Sequence, residues 1–342
     1  MSFADGLEKN RLRINSALDA FLSKNCKREY YDLIYDFSLR HNQGKRLRPI
    51  AMILAYEACG KRDAEIDMPA IAIELHHSYS LILDDVMDED ETRWNYLTVY
   101  KRLLESRPHG DALKESLYAD TSSRYAVSFA VMIGNLTAIL SKKAMLSSKY
   151  SDNLLLKAAR RLEQTDEDIY LGQMMDLDPK DKTEAHYLTM IKNKTGALFG
   201  LSLELGCLFA GASENMQKDY FEAGSLAASA FQIKDDLLDM TESKGHRKGS
   251  DILRGKNTLI IVKAFQKANA AQRLFLNQII GKEDATEQEI DKAISMIRDT
   301  GAESYCSELM LRMGKEAKAK ICKHNDSAML LELFDYMIQR EK

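Results

Sequence analysis

Only four prolines, one tryptophan and five cysteines occur among the 342 residues, and neither charge sign forms a long tract. So few prolines exclude a proline-rich linker and leave long windows that helices can occupy. The cysteines, Cys26, Cys59, Cys207, Cys306 and Cys322, are odd in number and scattered without a CxxC pair. That spacing excludes a disulfide framework and a zinc site, so they read as reduced packing residues. A net charge of -4 with no Lys/Arg run argues against a nucleic-acid surface. The weakly charged stretch 198–212 falls short of the ~20 residues that a bilayer span needs and contains Glu204, so no transmembrane helix is expected. The opening MSFADGLEKNRLRINSAL lacks the continuous apolar core of a secretory signal, and a cytoplasmic protein is expected.

What is present is a soluble, helical pattern. Hydrophobic residues make up 45% and charged residues 29%, the balance of a globular chain. Apolar residues recur at three- and four-residue spacing, which predicts helices near 2–24, 28–41, 47–60, 69–91, 124–148, 150–175, 184–211, 215–242 and 256–268, with shorter ones beyond. Strand alternation is missing, and no linker parts two halves. The expectation is an all-α fold forming one domain over 1–342, with a loop and one short helix in 106–123.

Two acidic clusters carry the functional argument. Asp84-Asp85-Val86-Met87-Asp88 ends the apolar run LHHSYSLIL, and Asp235-Asp236-Leu237-Leu238-Asp239 ends ASAFQIK. At 3.6 residues per turn, the first and last Asp of each DDxxD lie about 40° apart, so each helix offers a pair of carboxylates. Three acids at a helix C-terminus oppose the macrodipole and repel one another, so a positive partner is required. Basic side chains could fill that role, but Mg²⁺ is the better candidate, because it takes oxygen ligands from a few carboxylates plus substrate phosphates. A single such cluster is commonly solvated surface; two behind apolar helices, accompanied by basic motifs, weigh against that reading.

Gly44-Lys45-Arg46-Leu47-Arg48-Pro49 gathers three cations before a helix, where orphan N–H groups also attract anions. Arg supplies a planar fork and Lys a point charge, a mixture suited to a diphosphate. Further cations stand at Arg93, Lys194, His246-Arg247-Lys248 and Lys256. His76 and His77 are adjacent and so point about 100° apart on a helix, unlike the i, i+4 pair of a helical zinc site.

Together these segments resemble the trans-isoprenyl diphosphate synthases, which make farnesyl, geranylgeranyl and longer polyprenyl diphosphates. The match comprises GKRLRP at 44–49, HSYSLILDDVMDED at 77–90, GQMMD at 172–176, KTG at 194–196, FQIKDDLLD at 231–239 and GSDILRGKNT at 249–258, about two thirds of the chain. The resemblance implies a helical bundle of the isoprenoid-synthase type around a central cavity, acting as an Mg²⁺-dependent prenyltransferase. It further implies a homodimer, with up to three Mg²⁺ ions per active site. By the same resemblance, Lys45, Arg48 and His77 hold the diphosphate of isopentenyl diphosphate. Asp84, Asp88 and Asp235 are the main metal ligands, and Asp85, Asp236 and Asp239 ligate directly or through water. Arg93, Lys194, Gln232 and Lys256 hold the allylic diphosphate, and Thr195, Gln173 and Asp176 support the reacting carbons.

Two departures stand out: Trp94 follows Arg93 where the family has a second arginine, and Ile133-Gly134-Asn135 replaces AGD. A lost arginine contact costs roughly 1.5–3 kcal/mol if it made a charged hydrogen bond. Tyr79 lies five residues before Asp84, ~7.5 Å along a helix. With Ser80 beside it and no insertion in DDxxD, it resembles the floor of the tail channel in archaeal short-chain geranylgeranyl enzymes, which implies products of 15 to 20 carbons, 20 favoured. The competing readings are a terpene cyclase, a longer-chain polyprenyl synthase and a non-catalytic partner subunit. Intact DDLLD and GKRLRP disfavour the first, and two intact acidic motifs disfavour the last.

Overall fold

A computed structural model describes residues 2–241, 248–324 and 327–339. The chain is all-α and divides into two compact units, residues 1–159 and 160–342.

The first unit contains α1 (Phe3–Asn25), α2 (Tyr31–Tyr35) running into a π-helical turn (Asp36–Arg40), α3 (Leu47–Ala58), α4 (Asp67–Met87), α5 (Val99–Glu105), α6 (Thr121–Leu146) and the start of α7 (Asp152–Leu177). Ser2 and Asp5 form a capping box that starts α1, which buries Ile14, Leu18, Phe21 and Leu22 at helical spacing. Most of α4 is buried from Pro69 to Ile82. It ends at Met87, short of the expected 91, because Asp88 to Glu91 are four consecutive acids at a helix C-terminus and Glu89 turns left-handed at φ 54°.

α6 packs along α4, and Ser141 Oγ donates to the Ala72 carbonyl at 2.7 Å. Among the described helices α6 alone is long and apolar enough, by length and composition only, to cross a membrane, an 18-residue window of it having a mean hydropathy of 1.3. The separate short helix expected within 106–123 is absent: residues 106–120 form a loop pinned by an Ala112–Asp120 bridge, and α6 begins at Thr121. Asp120 is committed instead to capping α6, its carboxylate accepting from Ser123 N at 2.7 Å. A two-stranded ribbon, β1 (Thr92–Arg93) with β2 (Tyr96–Leu97), is the only named sheet among the described residues.

The second unit contains the rest of α7, then α8 (Glu184–Ile191), a second π turn (Lys192–Gly196), α9 (Ala197–Ala210), α10 (Glu214–Asp239), α11 (Ser250–Leu253), α12 (Leu259–Lys267), α13 (Ala270–Ile279), α14 (Glu287–Asp299), α15 (Ala302–Cys322) and α16 (Ala328–Gln339). The expected helix 184–211 is therefore interrupted by a π turn. α9 is buried throughout except its last residue, and its one charge, Glu204, is taken by Arg161 in a fork of 2.6 and 2.8 Å. Ile252, Leu259, Ile260, Ile294, Ile297 and Cys306 belong to a core shared by α11, α12, α14 and α15. Cys207 is also buried, but Cys322 is exposed and so is not the packing residue expected.

Candidate functional site

In the first unit the three cations of GKRLRP divide by direction. Arg46 adopts a left-handed φ of 55° and turns inward, 3% exposed. Its guanidinium donates to Asn15 Oδ1 and to the Ser38 carbonyl, each at 2.9 Å, and to Glu74 Oε1. Arg46 is thereby committed to structure. Lys45 is exposed, and Arg48 turns to α4, where Nη1 donates to His77 Nε2 at 2.9 Å. A guanidinium can only donate, so His77 Nε2 is the acceptor and the ring is neutral with its proton on Nδ1. Burial and then the charges of Arg48 and Arg93 hold His77 well below its ordinary pKa, and burial lowers Arg48 to about 10. Arg48 Nε is buried without a hydrogen-bond partner. A buried, unsatisfied guanidinium N–H beside a neutral imidazole donor is what an incoming phosphate oxygen can complete.

At the end of α4, Asp84 is half-buried, Asp85 is 1% exposed, and Asp88 is the C-cap, its N–H bonded to the Asp84 carbonyl at 2.8 Å. Arg93 comes to them from the ribbon: Nε donates to Asp85 Oδ1 at 2.7 Å, and Nη2 lies 3.8 Å from Asp84 and 3.9 Å from Asp90. Burial still raises Asp85 to about 6 against the pull of Arg93, and Asp85 Oδ2 has no hydrogen-bond partner. Tyr79, 3% exposed, meets His76 edge-on at 4.6 Å, and Ser80 Oγ donates to the His77 carbonyl at 2.9 Å.

In the second unit the π turn Lys192–Gly196 presents Lys194 and Thr195. It lies against α7 so closely that a Cβ on Gly172 would stand 2.3 Å from Lys194 N; on its other side, a Cβ on Gly196 would stand 2.7 Å from Ser225 Oγ of α10. Only glycine fits either position. Lys194 Nζ donates to Asp176 Oδ2 at 2.6 Å, and Lys256 Nζ is 3.8 Å from the same oxygen. Burial would raise Asp176, but these two ammonium groups outweigh it and hold the carboxyl below its usual range. Gln173 is 7% exposed, with Nε2 buried and unbonded. Thr195 Oγ1 donates to Gln232 Oε1 at 3.3 Å, and Gln232 Nε2 donates to Asp236 Oδ1 at 3.1 Å.

The second acidic cluster is also tied to neighbouring groups. Asp236 accepts from Tyr187 Oη at 2.5 Å, and burial followed by the charge of Asp251 raises it to about 8. Asp239 accepts from Ser250 N at 3.1 Å, Ser250 Oγ at 2.6 Å and Asp251 N at 3.0 Å, so it anchors the start of α11. Asp235 is half-buried. Tyr187 and Asp251 also belong to this cluster, though neither stands out in the sequence. Asp251 stood inside GSDILRGKNT as a possible signal; it is raised to about 6 by burial and then by Asp239. Lys248 pairs with Asp291 at 2.7 Å, while His246 and Arg247 lie outside the described residues. Lys256 also borders a cleft of about 480 Å³ between α12 and α13.

Among the described residues no three His, Cys, Asp or Glu side chains converge as a ready-made metal site. The donors nevertheless fit Mg²⁺: hard carboxylate oxygens, too few for an all-protein cage, with a buried Asp85 oxygen left unbonded. That set suits an ion which completes its shell with water and substrate phosphate.

The sequence model of the family described as Polyprenyl synthetase matches residues 33–297. A geranylgeranyl diphosphate synthase of Methanosarcina mazei is 31% identical over 100% of this chain and 99% of its own length, and a geranylgeranyl pyrophosphate synthase of Geoglobus acetivorans is 33% identical over 87% of each. The crystal structure of geranylgeranyl pyrophosphate synthetase from Pyrococcus horikoshii superposes with a TM-score of 0.83 at 28% identity, covering 99% of this chain and 98% of that one. With its acidic helix ends, basic loop and KTG turn all within the matched span, this chain belongs to the polyprenyl synthetase family.

Proposed function

We propose that the protein is a short-chain trans-prenyltransferase that joins isopentenyl diphosphate to an allylic diphosphate in the presence of Mg²⁺. The observation that carries this reading is an acidic helix end in each unit, its carboxylates set among charged and hydrogen-bonding partners. Asp85, Asp236 and Asp239 are held by Arg93, by Tyr187 and Gln232, and by the start of α11. The resemblance gives Asp84, Asp88 and Asp235 the leading part in metal binding, with Asp85, Asp236 and Asp239 joining directly or through water.

Lys45, Arg48 and neutral His77 hold the diphosphate that is kept, with Arg48 Nε as the waiting donor. Arg93, Lys194, Gln232 and Lys256 hold the diphosphate that leaves, and Asp176 aims the ammonium groups of Lys194 and Lys256. Mg²⁺ bound at the carboxylates supplies a Lewis acid for the charge developing on the leaving group. The allylic C–O bond breaks with its electron pair leaving on the diphosphate, and the ammonium and guanidinium groups stabilise that charge. The double bond of isopentenyl diphosphate attacks the allylic carbon, and loss of a proton to the released diphosphate restores a double bond. Gln173 and Thr195 flank the carbons, and exclusion of water keeps the cation from ending as an alcohol.

Tyr79 limits the tail, giving products of 15 to 20 carbons with 20 favoured. Residues 1–342 are read as one isoprenoid-synthase domain, as the resemblance implies. The chain works as a homodimer in the cytoplasm. α6 supports the dimer, with Met132, Ile139 and Leu146 repeating every seven residues at 49%, 59% and 65% exposure. The test is to give the purified protein Mg²⁺, isopentenyl diphosphate and each of dimethylallyl, geranyl and farnesyl diphosphate. The reading expects geranylgeranyl diphosphate from at least one primer; hydrolysis without elongation defeats it.

A further inference from the structure

Trp94 occupies the place where the resemblance leads one to expect a second phosphate-binding arginine, and its backbone is at φ 52°. With Asn95 at φ 65° it forms the two-residue turn between Arg93 and Tyr96, which are partners across the ribbon. Two positive φ values in succession suit a type I′ hairpin turn, and Asn tolerates that conformation. A bulky aromatic does not, so the strain at Trp94 must be offset by what its side chain touches.

The ring packs on Phe37 at 5.6 Å between centroids, and its Cζ2 is 3.6 Å from where a Gly44 Cβ would stand. One residue beyond the turn, Tyr96 lies flat on His41 at 4.2 Å with 6° between the planes. The ribbon thus grips the chain on both sides of Asn42, immediately before Lys45. From the same ribbon Arg93 reaches Asp85. Ribbon and basic loop are clamped together by aromatic contact, with the acidic end of α4 tied to the same clamp.

We infer that Trp94 is a positioning residue, which fixes the loop carrying Lys45 and Arg48 by packing where an arginine would act by charge. This deepens the reading that Lys45, Arg48 and His77 hold the diphosphate of isopentenyl diphosphate, and it rests on that reading.

Three variants separate the ring from the turn and from the missing charge. Trp94→Gly relaxes the turn and removes the ring, Trp94→Arg supplies the charge without the ring, and Trp94→Phe keeps an aromatic. Steady-state kinetics with Mg²⁺ and a saturating allylic primer would compare them. The KM for isopentenyl diphosphate should rise about threefold to tenfold in Trp94→Gly and Trp94→Arg, with kcat within about twofold, as expected for an aromatic contact that acts on binding. Trp94→Phe should recover most of the wild-type KM. An unchanged KM in Trp94→Gly, or a lower KM in Trp94→Arg, overturns the inference. Arg48→Gln guards the underlying reading: if it too leaves the KM unchanged, the assignment of the diphosphate fails and not the clamp alone.

Discussion

Arg48 Nη1 donates to His77 Nε2 at 2.9 Å, so a cation and an imidazole that could have repelled each other are instead joined through a neutral ring. The folded protein keeps that ring neutral well below its ordinary value, whereas the unfolded chain protonates His77 as the pH falls through about 6.5. The unfolded state then binds the extra proton, and stability is lost on acidification. His77→Gln should flatten the fall in denaturation midpoint between about pH 7 and 5. A fall as steep as that of the wild type would mean that other groups dominate.

The buried Arg46–Glu74 pair makes a separate prediction about stability. Arg46→Met leaves Glu74 uncompensated at 3% exposure and should cost about 3–5 kcal/mol in urea unfolding. Arg46→Met combined with Glu74→Leu should recover most of that loss, since neither partner is then stranded. A double variant as unstable as the single would show that the bonds of Arg46 to Asn15 and Ser38, and not the charge pair, hold the loop.

Gly172→Ala tests the placement of Lys194. The added methyl would stand 2.3 Å from Lys194 N, against backbone that cannot simply rotate away. Displacing the π turn should lower kcat/KM by about 10- to 100-fold while far-UV circular dichroism stays unchanged. Activity near that of the wild type would mean that α7 and the turn part without moving the ammonium group.

Tyr79→Ala should lengthen the products. The side chain is 3% exposed and packed on His76, so its removal opens space along α4 ahead of Asp84. Mass spectrometry should find products beyond 20 carbons; an unchanged distribution would assign the tail limit elsewhere.

The sequence made the acidic helix ends, the basic loop and the KTG turn legible because each is a contiguous run with a distinct charge pattern. It could not separate Arg46 from Arg48. Both are cations at the same helix start, and their directions depend on Glu74 and His77, 28 and 29 residues away. The π turn left no trace, because KNKTG keeps helical spacing while inserting a wider bond. The ribbon was hidden since Trp94-Asn95 lacks the glycine that announces a hairpin. Asp251 gained its meaning only when Asp239, 12 residues earlier, bonded its backbone.

The central claim is that carboxylates at the two acidic helix ends serve the condensation itself. It is tested most directly by elongation of farnesyl diphosphate with labelled isopentenyl diphosphate and Mg²⁺, comparing wild type with Asp84→Asn and Asp235→Asn. The account predicts a 20-carbon product from the wild type and a loss of at least about 10²- to 10³-fold in each variant with the fold retained. Elongation at the wild-type rate by either variant would contradict it.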